Sequence, residues 1–168
     1  MKSSIISAIV ISATLISCST VSSVLQNTLP FNSSFTVSKG SPVATQLTAV
    51  GAGTGLNQIM GVSQNVQDIR ANTAKVSVTA GDQGMGVFKS VSVYLISGNK
   101  EVLVASRDHI ADNIGTTLSL DVASKDLDAI MKSGGTIQQR IVYVLKSSPT
   151  SDLTMKSSLT FSSVPQAN

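Results

Sequence analysis

Residues 89–106 read KSVSVYLISGNKEVLVAS, and this stretch decides the fold class. The run from Lys89 to Ile96 alternates apolar and polar residues with the period of two expected for a half-buried β-strand, and Glu101 to Ser106 is predicted to return as its partner strand. The four residues from Ser97 to Lys100 include Gly and Asn, which tolerate positive φ in tight turns. The stretch therefore predicts an antiparallel hairpin with one buried face.

Further strands are predicted on both sides of this hairpin. Their sequences are short, rich in β-prone residues and separated by polar turn signals. They cover residues 35–37, 43–50, 75–80, 117–122, 136–146 and 153–163, and the inward positions of the last one are Met155, Leu159 and Phe161. Several short antiparallel strands with brief helices predict a mainly β protein, in outline a single immunoglobulin-like β-sandwich.

Two short helices are expected to accompany the sheets. The first spans 56–69, because its apolar residues recur at spacings of three and four and would cover one open end of the sandwich. The second opens at 124–127, where Ser124 can cap backbone N–H groups and Gly134-Gly135 ends the helix. Its inward face is predicted to be Leu127, Ile130 and Met131.

The first eighteen residues have the pattern of an export signal. Lys2 is followed by an uncharged apolar run from Ile5 to Ile16, which at about 12 residues is shorter than the ~20 needed to cross a bilayer. Leu15-Ile16-Ser17-Cys18 resembles the lipobox of bacterial lipoproteins. That resemblance implies a signal peptide at 1–17, cleavage before Cys18, and lipid attachment, including fatty acids such as palmitate, at Cys18.

The residues after the cysteine bear on location and domain boundaries. Ser19 stands where an aspartate resembles an inner-membrane retention signal, so the resemblance favours the outer membrane, with its periplasmic face slightly preferred over the cell surface. We expect residues 18–34 to form a lipidated tether, 35–165 the β-sandwich domain and 166–168 a C-terminal tail. Alternatively, part of 18–34 forms a first edge strand through Val24, Leu25, Leu29 and Phe31.

Composition narrows the possible partners. Serine and threonine number 43, charged residues make up 12%, and the net charge of +3 becomes +2 when Lys2 is removed with the leader. The basic residues are scattered, whereas nucleic-acid binding needs a concentrated basic face. One cysteine allows no internal disulfide, so the core alone must stabilise the domain. We expect no nucleic-acid partner.

Residues 74–164 resemble a group of small uncharacterised envelope lipoproteins, chiefly of Bacteroidota, in which one β-sandwich follows the lipobox. The matching stretches are VFKSVSVYL at 87–95, VLVASRD at 102–108, LSL at 118–120 before Asp126-Leu127, and DLTM at 152–155. The resemblance implies an anchored sandwich module and assigns no catalytic residue.

No catalytic, cofactor-binding or metal-binding site is predicted. The Gly51–Gly55 segment lacks the lysine and spacing of a phosphate-binding loop, and we expect an interstrand loop. His109, beside Asp108, is expected in a solvated loop, because no serine lies in a nucleophile elbow. A zinc site would need several Cys or His residues. Calcium at loop aspartates is the weaker alternative to solvated carboxylates at Asp108, Asp112, Asp121, Asp126 and Asp128.

The leading hypothesis is a non-enzymatic, lipid-anchored interaction or structural module of the cell envelope. Its partners would be the membrane, through Cys18, and an unknown envelope protein or polysaccharide. The side chains best suited to an interface are Tyr94, Tyr143, Arg107 and Arg140, although Tyr143 fits the core equally well. The alternative is a small-ligand or carbohydrate-binding lipoprotein of an outer-membrane uptake system.

Overall fold

The computed structural model describes residues 24–26, 30–55, 58–59 and 65–166. A short 3-10 turn covers Met85–Val87, and the helix α1 covers Asp128–Met131. The strands in this part of the chain are β1 (Leu25–Gln26), β2 (Phe31–Val37), β3 (Gln46–Val50), β4 (Val66–Ala80), β5 (Phe88–Ser97), β6 (Lys100–Asp108), β7 (Thr117–Ser119), β8 (Asp121–Val122), β9 (Gln138–Leu145) and β10 (Leu153–Pro165).

The strands form two five-stranded antiparallel sheets packed face to face. Sheet A has the order β1-β10-β4-β7, with β2 also paired to β10, and sheet B has the order β3-β9-β5-β6-β8. The prediction of a mainly β antiparallel sandwich is confirmed. Both sheets contribute alternating inward residues to one shared core.

The core follows the alternation that the sequence predicts. The inward side chains of β5 and β10 are at most 1% exposed: Val91, Val93, Leu95, Met155, Leu159 and Phe161. Full burial of one such side chain contributes about 1.5–3 kcal/mol. A continuous core of this kind stabilises the domain without a disulfide.

The predicted hairpin at 89–106 is confirmed, with β5 and β6 paired from Ser97↔Lys100 to Ser90↔Asp108. Its turn lies at residues 98–99, where Gly98 has φ +59°. This positive φ explains why glycine suits the position.

The strand predicted at 117–122 is divided between the two sheets. β7 pairs with β4 in sheet A, and β8 pairs with β6 in sheet B. Between them, Leu120 is buried and its N–H donates to the Ala74 carbonyl at 2.9 Å. The segment therefore crosses from one sheet to the other and ties their edges together.

The helix predicted across 56–69 is wrong at its C-terminal end. Val66 and Ile69 are buried in β4, whereas residues 60–64 lie outside the described part of the chain. Pairing of β4 with β10 shifts register between Ser162 and Val164, next to Asp68, which has φ +54°. A β-bulge adds one residue to a strand, so Val66 and Ile69 both point inward at a spacing of three, which resembles a helical face.

The second predicted helix is present as the single turn α1, and it begins later than expected. The N–H of Asp128 donates to the Asp126 carboxylate at 2.8 Å, so Asp126 rather than Ser124 caps this turn. The predicted inward face is confirmed: Leu127, Ile130 and Met131 are each 1% exposed.

The folded part of the chain begins before residue 35. β1 and the first half of β2 fall within residues 18–34. Phe31, the first residue of β2, is buried in the core. β2 therefore starts inside the segment expected to form a tether, and its alternate residues face the core. In the described ranges, no helix has the length and apolarity required to span a membrane.

The sandwich has two distinct ends. At one end, β1 pairs with the C-terminal part of β10 through Leu25↔Ser163. At the other end, the last residue of β2, Val37, pairs with the first residue of β10, Leu153. Four loops, 38–45, 81–87, 109–116 and 146–152, converge at this second end and are called here the loop platform. Ser163 and Leu153 are ten positions apart on β10, so the platform lies about 33 Å from the β1 end.

Candidate functional site

The loop platform contains an open cleft of about 630 Å³. Three of its four loops contribute, and most of the lining groups are polar. They are Gln83, Gly84, Gly86, Val87, Asp112, Asn113, Gly115, Lys146 and Ser147. No aromatic side chain lines this cleft.

Close backbone contact fixes two of these loops against each other. A Cβ at Gly86 would lie 2.1 Å from the Asp112 carbonyl oxygen, and one at Gly84 would lie 2.4 Å from the Gly115 carbonyl oxygen. The Met85 N–H donates to that same Gly115 oxygen at 2.7 Å. Glycine is therefore required for space, and the cleft floor is backbone.

Lys146 connects a third loop to the cleft. Its ammonium donates to the Ile110 carbonyl at 2.7 Å and also forms an ion pair with the Asp112 carboxylate. The Asp112 side chain is 91% exposed, so the pair is screened by water and contributes little stability. It places a cation and an anion side by side at the rim.

A second carboxylate is held nearby by hydroxyl groups. Ser151 and Thr150 donate to Asp82 at 2.5 and 3.0 Å, and these hydrogen bonds, that of Ser151 first, hold the pKa of Asp82 below its usual value. The Thr150 N–H donates to the Gln83 side-chain oxygen at 2.9 Å. Asp82 and Gln83 thus fasten the 81–87 loop to the 146–152 loop.

The chemistry offered by this cleft is recognition through hydrogen bonds and charge. Amide groups from Gln83 and Asn113, a serine hydroxyl at Ser147 and the Lys146–Asp112 pair converge on one concavity. Such groups suit a polar ligand or a polar loop of another macromolecule.

His109 lies outside the cleft, beside a second cavity of about 320 Å³ whose lining includes Asp108, Lys89 and Ser90. The residue is exposed, as expected for a loop histidine, and has φ +53°. Among the described residues its ring has no hydrogen-bond partner, so neither a carboxylate nor a serine orients it. A general base needs such an orienting contact to act on a serine.

The loop and helix aspartates are mostly engaged with protein groups. Asp121 pairs with Arg107 at 3.0 Å, Asp128 with Lys132 at 2.8 Å, and Asp112 with Lys146. No cluster of three His, Cys, Asp or Glu side chains placed to hold a metal ion occurs in the described ranges.

The four side chains suited to an interface separate into different environments. Tyr143 is buried and packs edge-on against Phe88 with 5.7 Å between ring centroids, and this burial raises its pKa. Tyr94 lies on the outer face of sheet B beneath the Arg140 guanidinium, 4.7 Å from the ring centroid. Arg107 on β6 is exposed and forms an ion pair with Asp121. Cys18 lies outside the described residues.

Of the cleft residues, sequence analysis named only Asp112, as a loop aspartate, and it did not predict a cleft. Glycines recur in GDQGMG at 81–86, and that repetition is the one sequence signal for close approach of another backbone. Gly51–Gly55, the more glycine-rich segment, is the expected interstrand loop, and Gly51 packs directly against Ser33.

Comparison with known proteins identifies no family. No family model matches the chain, and no curated protein matches it. Among solved structures, a 60-mer BFDV capsid protein is 14% identical, with 86% of this chain and 95% of that chain covered and a TM-score of 0.37. A decameric BFDV capsid protein is 13% identical, with 86% and 100% covered and a TM-score of 0.39. At these TM-scores the likeness supports no conclusion about this chain.

Proposed function

We propose that this chain is a lipid-anchored lipoprotein of the bacterial cell envelope that acts as a non-enzymatic interaction or structural module. The support for the anchor is the lipobox-like Leu15–Cys18 after a charged and then apolar leader. The cell surface and the periplasmic face of the outer membrane are both compatible with this anchor, and Ser19 favours the outer membrane.

The observation that carries the proposal is that the start of the described chain and the loop platform lie at opposite ends of the sandwich. Cys18 precedes Val24, the first described residue, by six positions, a span of at most about 20 Å. Because β1 follows directly, a lipid on Cys18 would hold the β1 end close to the membrane. The loop platform and its cleft then face away from the lipid, where another envelope component can reach them.

A second candidate function is small-ligand or carbohydrate binding within an outer-membrane uptake system. The polar cleft favours it, since amide and hydroxyl groups converge there. The closely packed core disfavours an internal apolar pocket. The interaction module remains the first choice, because the cleft is wide open.

The anchor is tested by expressing the full chain in a bacterium that is fed a clickable palmitate analogue. We expect wild-type protein to be labelled, to sediment with membranes and to start at a modified Cys18. Cys18→Ala should lose the label and keep its leader, because the thiol that accepts diacylglycerol is missing. Ser22→Ala, a change of similar size in the same segment, is the matched control and should behave as wild type.

Two results would overturn the anchor. One is a mature polypeptide with a free thiol at Cys18 or with a start elsewhere, as read by mass spectrometry. The other is Cys18→Ala protein that remains membrane-bound after its leader has been removed.

A further inference from the structure

The outer face of sheet A carries cations that no carboxylate neutralises. Arg70 and Lys75 on β4 and Lys156 on β10 are exposed, and none pairs with an acidic side chain among the described residues. The single acidic residue in the strands of this sheet is Asp68, at the bulge of β4. The face is therefore net positive.

The strands of sheet B contain more acidic residues, and two of their four basic residues are ion-paired. Arg140 pairs with Glu101, and Arg107 pairs with Asp121. In the strands of sheet A, three basic residues accompany one acidic residue, and none of the three forms an ion pair with a described residue.

The three cations form a line along the strands. On β4, Lys75 lies opposite Ser158 of β10 and is therefore diagonal to Lys156, two positions away on β10. Arg70 of β4 lies opposite Ser162 of β10. Residues 156 and 162 are six positions apart on β10, which corresponds to about 20 Å. A ligand that meets all three charges must be extended and must carry several negative groups.

Hydroxyl groups fill the space between these charges. They alternate with buried residues along β4 and β10, at Thr73, Ser77, Thr154, Ser158, Thr160 and Ser162. Thr73 and Thr160 hydrogen-bond each other across the strands at 2.7 Å. Hydroxyls both donate and accept hydrogen bonds, and this matches the hydroxyls of a sugar chain.

We propose that the outer face of sheet A binds a linear acidic polysaccharide, with Arg70, Lys75 and Lys156 meeting its anionic groups. This names a partner for the envelope module proposed above and takes its cellular setting from that proposal. A nucleic acid fits less well, since none of the described aromatic side chains stands on the face for base stacking. An anionic membrane fits less well because a basic lipid-binding cluster usually has about 4–8 cations.

The test compares two triple variants of the full-length protein in neutral detergent. Arg70→Gln/Lys75→Gln/Lys156→Gln removes the charges of this face. Lys39→Gln/Lys89→Gln/Lys125→Gln is the matched control, because it removes three exposed positive charges located elsewhere, none of which forms an ion pair with a described residue. Binding is measured to polygalacturonate, to neutral dextran, to single-stranded DNA and to mixed micelles that contain anionic phosphatidylglycerol, with micelles of the neutral detergent alone as the reference.

We expect wild type to bind polygalacturonate more tightly than the other three probes. The sheet A variant should bind it about tenfold more weakly, from the loss of three exposed charge contacts, and the control should stay within about twofold of wild type. If the sheet A variant does not fold, Ser158→Asp places a negative charge between the lysines and should give a similar loss. Thr48→Asp on sheet B is then its control.

The proposal is overturned by absence of polygalacturonate binding in wild type, by equal losses in the two triple variants, or by tighter binding to DNA or to phosphatidylglycerol in mixed micelles. Its failure is distinguishable from that of the lipid anchor. Binding is read in detergent on the purified protein, whereas anchoring is read from the mass of the N-terminal peptide.

Discussion

At the scale of single residues, Asp128 makes the most consequential polar contacts in the described structure. One carboxylate oxygen accepts the Ile69 N–H at 2.8 Å, and the other accepts the Lys132 ammonium at 2.8 Å. Desolvation is the largest single influence and raises its pKa, but the Lys132 and backbone hydrogen bonds together lower it below the usual value. Asp128 therefore joins α1 to β4 in its ionised form.

The lowered pKa of Asp128 makes the free energy of unfolding depend on pH. A lowered pKa in the folded state contributes stability above the unfolded-state value of about 4, and the contribution disappears as the pH falls through the folded-state value. Asp128→Asn should remove that dependence, and Asp128→Ala should cost about 1–2 kcal/mol at neutral pH by leaving the Ile69 N–H without its acceptor. Urea unfolding of each variant between pH 7 and pH 3 measures both effects.

The control for this prediction is Asp121→Asn. Asp121 is 70% exposed and pairs only with Arg107, so its replacement should change stability by less than about 0.5 kcal/mol. An Asp128→Asn protein that loses stability in acid as steeply as wild type would show that other carboxylates govern the acid transition.

At the scale of elements, the loop platform depends on backbone contacts that leave no room for a side chain. The turn at Met85–Val87 lies against the 109–116 loop so closely that the Gly86 Cα faces the Asp112 carbonyl. The neighbouring carbonyl belongs to main chain and cannot rotate away as a side chain would. Glycine at this position therefore couples two loops of the cleft.

Gly86→Ala should lower the free energy of unfolding by about 1–3 kcal/mol, because the loops must separate to accept a methyl group. Gly55→Ala is the matched control: a Cβ there meets no atom within 4 Å, and the change should cost less than about 0.5 kcal/mol. Denaturant unfolding of both variants gives the difference. Equal stability of the two variants would contradict close packing of these loops.

At the scale of the whole molecule, the sandwich separates a chain-entry end from a loop end. β1 and the turn at Gly98–Asn99 lie at the first end, and the cleft with Asn113 lies at the second. Long strands joined into a packed core keep this separation rigid. If the chain is anchored at Cys18, the first end lies closer to the lipid than the second.

Fluorescent probes measure those distances. We expect Cys18-lipidated protein in vesicles to show stronger energy transfer to an acceptor lipid from a probe at Asn99 than from one at Asn113. Both probes are introduced as unnatural amino acids so that the thiol of Cys18 remains available for lipid. Equal transfer from the two positions would exclude an upright arrangement, and protein that begins at Ser19, which has neither leader nor lipid and should not associate, gives the background.

Local sequence determined the parts of the fold in which neighbouring residues carry the information. Alternation in residues 89–96, followed by the turn signal at 97–100, predicted the β5–β6 hairpin, since side chains on a strand reverse face at each step. The inward residues of β10 followed from the same rule. The prediction of lipid attachment at Cys18 likewise rests on a few neighbouring residues, Leu15 to Cys18.

Only the tertiary structure decided which strands pair and where loops meet. Residues 117–122 look like one strand, but their hydrogen-bond partners in β4 and β6 divide them between two sheets. Val66 and Ile69 mimic a helix because the bulge at Asp68 is visible only in the pairing with β10. The cleft and the line of cations on sheet A join residues far apart in the chain, and their proximity depends on long-range packing that local pattern does not encode.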